Sequence, residues 1–447
     1  MYNHKIIVLV CILFLTAFFL FAAPVQAQQL PDCAILFDEG RDLYDDSQYQ
    51  AALTQWETAL ACYREIDDQQ GESKTLGNLG NAYRNLKQYT EALDHYEQAL
   101  AIAREIGDRQ GEGTWLRNLG NVDSSLRHYP EAKDYYEQAL AIAREIGHRE
   151  DEGKALNNIG LVYRNLGEIE IAIEHYKDAL TCAREAGDRP SERLTLDNLG
   201  GVYRDSGQYG EAIDCYEQVL GISQEIGDRR QEARSLGNLG AVYLDLGQYQ
   251  TALDHTEQAV SIAREIDDRQ EEGVWLRNLG ILSIYIGQYQ SAIQYYEQAL
   301  AIAREFDDRL NIGGCLGNLG TVYADLGQYM QAIDYYEQAL PLFREIEHRQ
   351  GEGYYLNNLG SVYRKLGQYM EAADYYEKAL VIAREIGVLG LEVSVLGNIG
   401  NVYTNLSQYQ VAINYYEQAL GIAQEIGSRY IEVINLGNLA VCRREIP

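Results

Sequence analysis

Asparagine stands at Asn78, Asn118, Asn158, Asn198, Asn238, Asn278, Asn318, Asn358, Asn398 and Asn438, each forty residues after the last. A carboxamide offers donors and an acceptor without charge, so such a row suits hydrogen bonding rather than proton transfer. Inside a helix asparagine costs roughly half a kcal/mol against alanine, so a placement this regular requires a repeated compensating bond. That bond goes either to a bound ligand or to the neighbouring helix pair.

Other chemistry-bearing residues are spaced against catalysis. Glu105 and its equivalents recur in all ten full units, which reads as a solvated face rather than as paired catalytic carboxylates. His95, His175 and His255 hold one position in alternate units and do not converge, so no metal site is expected. A lysine-bearing phosphate loop, a His-Glu-x-x-His motif and a nucleophile elbow are all absent from the sequence. No enzyme activity, catalytic residue or cofactor is expected. Cys33 opens the first helix of the first hairpin and Cys62 lies near the end of its antiparallel partner. Folding would bring them together as a disulfide in an oxidising compartment, with two buried thiols as the alternative.

These residues sit on helices. Leu76, Leu79, Gly80 and Tyr83 fall at helical spacing, and after a short break Ala92, Tyr96, Ala99, Leu100 and Ala103 do so again. Gly167, Gly207, Gly247, Gly287, Gly327 and Gly367 stand where a left-handed residue would end the first helix, and Gly107, Gly147, Gly187 and Gly227 where one would end the second. Asp108, Asp188 and Asp228 are placed to cap the following helix. A helix pair with one apolar stripe on each member must stack on its neighbours, which predicts a solenoid with a continuous core. Gly80 and Ala92 allow close approach within a pair. In Tyr135-Tyr136 and its equivalents the second tyrosine is read as core and the first as cover for the junction between units. Asp123 and Ser283 replace a tyrosine, Thr256 an aromatic residue, and Pro341 falls inside a second helix, so these units are expected to be looser.

Formal charge and the N-terminus bound the setting. With 37 basic against 67 acidic residues, the net charge of -30 argues against nucleic acid and anionic lipid as partners. Lys5 precedes an apolar run from Ile6 to Ala23, and Pro24-Val25-Gln26-Ala27 resembles a cleavage site. Residues 1–27 are therefore read as a signal peptide, with an uncleaved N-terminal membrane anchor as the alternative, 28–32 as a short linker and 33–447 as the helical array. Both readings place the array outside the cytoplasm, periplasmic or secreted.

Leu76, Leu79, Gly80, Tyr83, Ala92, Tyr96 and Ala99 resemble the tetratricopeptide repeat consensus, with a forty-residue period similar to that of the Pins-like G-protein modulators and of bacterial arrays. The resemblance implies an all-α, right-handed superhelical solenoid of antiparallel helix pairs, ten pairs plus a terminal helix. It further implies that the asparagine row from Asn78 to Asn398 lines a concave groove and grips peptide segments. On that footing Lys74, Arg84, Arg117, Lys154, Arg164, Arg204, Arg234, Arg277 and Arg364 also face the groove, against Asp197, which predicts attraction for acidic peptides. Asp205, Asp245 and Asp325, one position further on, would make the lining mixed if they turn inward. Leu244, Ile281, Ile284 and Tyr285 make the same face apolar further along. The expected function is a non-enzymatic scaffold for proteins or peptides; the alternative is a structural element of the cell envelope that self-assembles.

Overall fold

The computed structural model describes residues 32–446, all of whose regular elements are helices. The expected signal segment and linker residues 28–31 lie outside the described residues. Internal contacts divide the chain between Val202 and Tyr203 into two compact units. In the first, α1 spans Cys33–Asp45, α2 Tyr49–Glu65, α3 Gln69–Asn85, α4 Tyr89–Ile106, α5 Arg109–Ser125, α6 Tyr129–Ile146, α7 Arg149–Asn165 and α8 Ile169–Ala186. Helix α9, Arg189–Asp205, carries the division. The second unit contains α10 Tyr209–Ile226, α11 Arg229–Asp245, α12 Tyr249–Glu265, α13 Arg269–Tyr285, α14 Tyr289–Glu305 and α15 Arg309–Asp325. It continues with α16 Tyr329–Glu345, α17 Arg349–Lys365, α18 Tyr369–Glu385, α19 Leu389–Asn405, α20 Tyr409–Glu425 and α21 Arg429–Glu445. Odd-numbered helices open each pair and are termed A helices; even-numbered ones are B helices.

Local chemistry sets these boundaries. Asp108 accepts the Gly111 amide at 2.9 Å, Asp188 that of Ser191 at 3.1 Å and Asp228 that of Gln231 at 3.1 Å, each supplying an acceptor to an orphan donor of the first turn. Where aspartate is missing, His148 and His348 do the same through Nδ1, at 3.3 and 3.0 Å. Gly107 and Gly167 take left-handed φ angles of 72° and 80° at the two kinds of turn. The same backbone is imposed on Lys87, Arg127 and Glu347, at φ 61°, 63° and 54°, although a Cβ opposes it.

Within a pair, a Cβ on Gly80 would lie 2.7 Å from the Tyr96 ring, so the absence of a side chain is what lets α3 and α4 meet. Tyr96, Tyr136, Tyr296, Tyr336, Tyr376 and Tyr416 are all buried. The expected continuous core is realised as successive clusters. In the first unit one includes Trp56, Tyr96 and Trp115 and another Tyr136, Leu156 and Ile159. In the second, one includes Trp275, Leu316 and Phe343 and another Tyr336, Leu359 and Tyr376. The first tyrosine of three doublets also packs within its own pair: Tyr335, Tyr375 and Tyr415 stack on Tyr323, Tyr363 and Tyr403, at 5.1 to 5.7 Å. Their rings fit there because the A-helix tyrosine presents a flat face directly beneath. His95, His175 and His255 make the same stack on Tyr83, Tyr163 and Tyr243. Pro341 is accommodated within an α16 that runs on to Glu345.

A buried carboxylate row was not legible as such. Glu112 receives Nε of Arg104 at 2.9 Å and Nη1 of Arg109; Glu152 receives Arg144 at 2.9 Å and Arg149 at 2.6 Å. Burial opposes ionisation of Glu112, Glu152 and Glu192, but the two arginines outweigh it and hold each pKa below the usual carboxylate value. Arg109 and Arg149 reach on to Glu145 and Glu185, so the face expected to be merely solvated carries exposed ion pairs. Cys33 and Cys62 form a disulfide that ties α1 to α2, with Cα atoms 5.5 Å apart.

Candidate functional site

In both units the A helices form a face of their own. Besides packing on their B neighbours, α3 touches α5 and α5 touches α7; in the second unit α15 touches α17 and α17 touches α19. Elements two apart meet in this way only on the inner side of a bend, so within each unit the A helices line the concave side.

The asparagines from Asn78 to Asn438 are all half-buried on these helices, neither packed into the core nor fully exposed. Some of their hydrogen-bonding capacity is spent between neighbouring pairs. Asn158 Nδ2 donates to Asn121 at 3.0 Å, Asn198 to Asn157 at 3.1 Å and Asn398 to Asn357 at 3.0 Å. Asn121 Oδ1 also accepts from the Tyr136 hydroxyl at 2.9 Å, as Asn81 and Asn401 accept from Tyr96 and Tyr416 at 2.7 and 2.8 Å. At Tyr136, Asn121 and Asn158 the core tyrosine, an A-helix acceptor and the next asparagine thus form one relay. The sequence signal for these acceptors is a second asparagine three residues after the first, at Asn81, Asn121 and Asn401.

The basic residues divide by partner. Arg117 lies 4.0 Å from Asp151, and burial holds its pKa below the ordinary arginine value; Lys154 pairs with Glu150. Arg204 bonds Asp245 and Arg234 bonds Glu271, both at 2.6 Å. Arg164 flanks Gly201, Arg277 donates to Asn311 at 2.7 Å, and Arg364 lies by the Tyr376 hydroxyl. Lys74 is exposed and Arg84 half-buried, and neither pairs with a carboxylate among the described residues. Carboxylates reaching in from neighbouring turns therefore neutralise part of the row.

Two recesses interrupt the A-helix faces. In the first unit Arg84, Lys87, Asn121, Ser124, Tyr136 and Asn158 help line a cavity of ≈ 440 Å³ that has no carboxylate in its wall. Lys87 was not singled out by the periodicity because it belongs to a turn. In the second unit Asn318, Thr321, Phe343, Tyr354, Tyr355 and Asn358 help line one of ≈ 400 Å³, more aromatic in character.

Family models described as tetratricopeptide repeat match residues 32–105, 71–145, 151–225, 231–305 and 314–385, and a second one with the same description matches 395–430. The chain belongs to the tetratricopeptide repeat family. No curated protein matches this tetratricopeptide repeat chain. Among solved structures, the apo quorum sensor NprR from B. thuringiensis is similar at 18% identity and TM-score 0.55, covering 78% of this chain and 98% of that one. A Rap protein complexed with competence and sporulation factor is similar at 16% identity and TM-score 0.52, covering 80% and 99%. A signal-transduction ATPase with a tetratricopeptide repeat sensor from Pyrococcus horikoshii is similar at 17% and 0.54, covering 78% and 54%. At these identities the likeness speaks for the fold, an all-α tetratricopeptide repeat solenoid.

Proposed function

We propose that this tetratricopeptide repeat array is a non-enzymatic scaffold that holds peptide segments of partner proteins along its A-helix faces. The observation that carries the reading is the first-unit recess, where Arg84 and Lys87 stand beside the carboxamides of Asn121 and Asn158, part of whose bonding capacity is spent on each other and on Tyr136, without a carboxylate in the lining. Such a recess offers charge-assisted hydrogen bonds to an acidic side chain and neutral ones to a peptide backbone. The array acts outside the cytoplasm; the apolar run at residues 6–23 and the Cys33–Cys62 disulfide support that placement.

The test is fluorescence anisotropy with a labelled oligoglutamate peptide. Saturable binding that weakens with salt is expected, and Arg84→Gln with Lys87→Gln should reduce affinity about tenfold or more. Binding unaltered by that double variant, or by salt, would remove the acidic-peptide reading. A second reading, an envelope element that self-assembles, draws on α21, where Tyr430, Val433, Leu436 and Val441 are exposed. It requires a mass that rises with concentration in sedimentation equilibrium.

A further inference from the structure

One position in the repeat is closed in the first unit and open in the second. Among α5, the C-terminal half of α6 and the start of α7, the residues Gly113, Arg117, Ala139, Ile142 and Asp151 leave a space of only ≈ 10 Å³. There Arg117 faces the Asp151 carboxylate. The corresponding space among α13, α14 and α15 measures ≈ 510 Å³.

Shifted by four periods, the lining differs by Glu271 for Gly111, Val274 for Thr114, Phe306 for Ile146, Asp308 for His148, Asn311 for Asp151 and Cys315 for Ala155, and beside it Gly314 stands for Lys154. Each change has a physical effect. Asn311 takes away the anion that answers the arginine, so Arg277 Nη1 donates to a neutral Oδ1 at 2.7 Å. Gly314 removes a long side chain beside the guanidinium; a Cβ there would lie 3.8 Å from Arg277 Nη1. Val274 replaces a hydroxyl by a methyl, extending an apolar wall that includes Ile302 and Phe306. Cys315 is only 1% exposed, and burial pushes its thiol up to about 11, so it stays neutral. Two carboxylates belong to the same lining, and both are engaged: Glu271 holds Arg234 at 2.6 Å, and Asp308 accepts the Asn311 amide and side chain at 3.0 and 2.7 Å.

We propose that this recess binds a small organic monocarboxylate with an apolar body, its carboxylate on the Arg277 guanidinium and its hydrocarbon against Val274, Ile302 and Phe306. A guanidinium fork matches a carboxylate in geometry, and the pair strengthens when a ligand's apolar body displaces water around it. The volume lies within the ~300–1,000 Å³ span of small-molecule sites. The site is separate from the peptide-binding recess around Arg84, and each is tested by its own variants.

Isothermal titration of the full chain with octanoate, with 1-octanol as the uncharged probe, decides the matter. Octanoate should saturate one site, and 1-octanol should bind at least about tenfold more weakly for want of the ion pair. Asn311→Asp, which restores the carboxylate found at Asp151, should weaken octanoate by about tenfold or more. Val274→Trp, which enlarges a residue of the lining and alters no charge, should weaken both probes by filling the recess. Circular dichroism melting establishes that each variant is folded, and either variant alone suffices for the reading. Absence of saturable octanoate binding, equal affinity for the two probes, or wild-type octanoate affinity in a folded variant would each overturn the proposal.

Discussion

Asp123 replaces a tyrosine that elsewhere fills the A–B contact, and its carboxyl is buried with His128 Nδ1 3.3 Å away. Burial raises its pKa, and the histidine only partly offsets this. A raised folded-state value means that the ionised carboxylate weakens the fold at neutral pH. Asp123→Tyr should therefore raise the thermal midpoint at pH 7 by ~1–3 °C, the scale of about 1 kcal/mol in a chain of this size; an unchanged or lower midpoint contradicts the account. The position was legible from the sequence because it breaks a periodic tyrosine. The partner was not, since His128 comes from the turn that follows. Similarly, the asparagine row was plain in the sequence, whereas its bonds to Asn121, Asn157 and Asn357 depend on the offset between successive A helices.

Helix ends and hairpins carry their own predictions. Arg127 and Glu347 occupy left-handed turn positions that glycine holds at Gly167 and Gly107 respectively, so Arg127→Gly and Glu347→Gly should each stabilise by about 1 kcal/mol, read as a rise in melting midpoint. Loss of stability would show that these side chains make contacts worth more than the backbone strain. Among the described residues the α1–α2 hairpin packs on one neighbouring pair, and its disulfide closes a loop with a sequence separation of 29. Cys33→Ser should cost about 3–4 kcal/mol on the loop-entropy model, concentrated in that hairpin. Hydrogen exchange should then accelerate in α1 and α2 while α5 to α7 remain protected; uniform acceleration would mean that the staple supports more than its own pair.

At the scale of the whole molecule, acid should act through two sets of groups. Burial lowers the pKa of His95, His175 and His255, so the unfolded chain takes up protons first and stability falls as pH drops below ~6.5. Glu112, Glu152 and Glu192 have depressed values, so their contribution is present above ~4.5 and is lost as pH falls through the folded-state values. Melting midpoints measured from pH 8 to pH 3 should decline in two stages. Replacing the three histidines by glutamine should abolish the first stage and leave the second; a first stage that survives those substitutions would assign it to other groups.

The sequence by itself determined the helix pairs, their turns and their repetition, because helix periodicity, caps and left-handed glycines act over a few residues, and a forty-residue repeat multiplies each signal. It also singled out the A-helix residues, whose common face follows from their spacing. Only the tertiary structure decided which of their polar groups answer one another. Arg117 meets Asp151 and Arg234 meets Glu271 across neighbouring pairs, while Arg84 meets no carboxylate among the described residues. Those outcomes depend on how far each A helix is displaced from the next, a distance that no local pattern encodes. The ≈ 10 Å³ space at Arg117 and the ≈ 510 Å³ space at Arg277 differ for the same reason: a few substitutions alter what fills the gap only once the stacking has placed them around it.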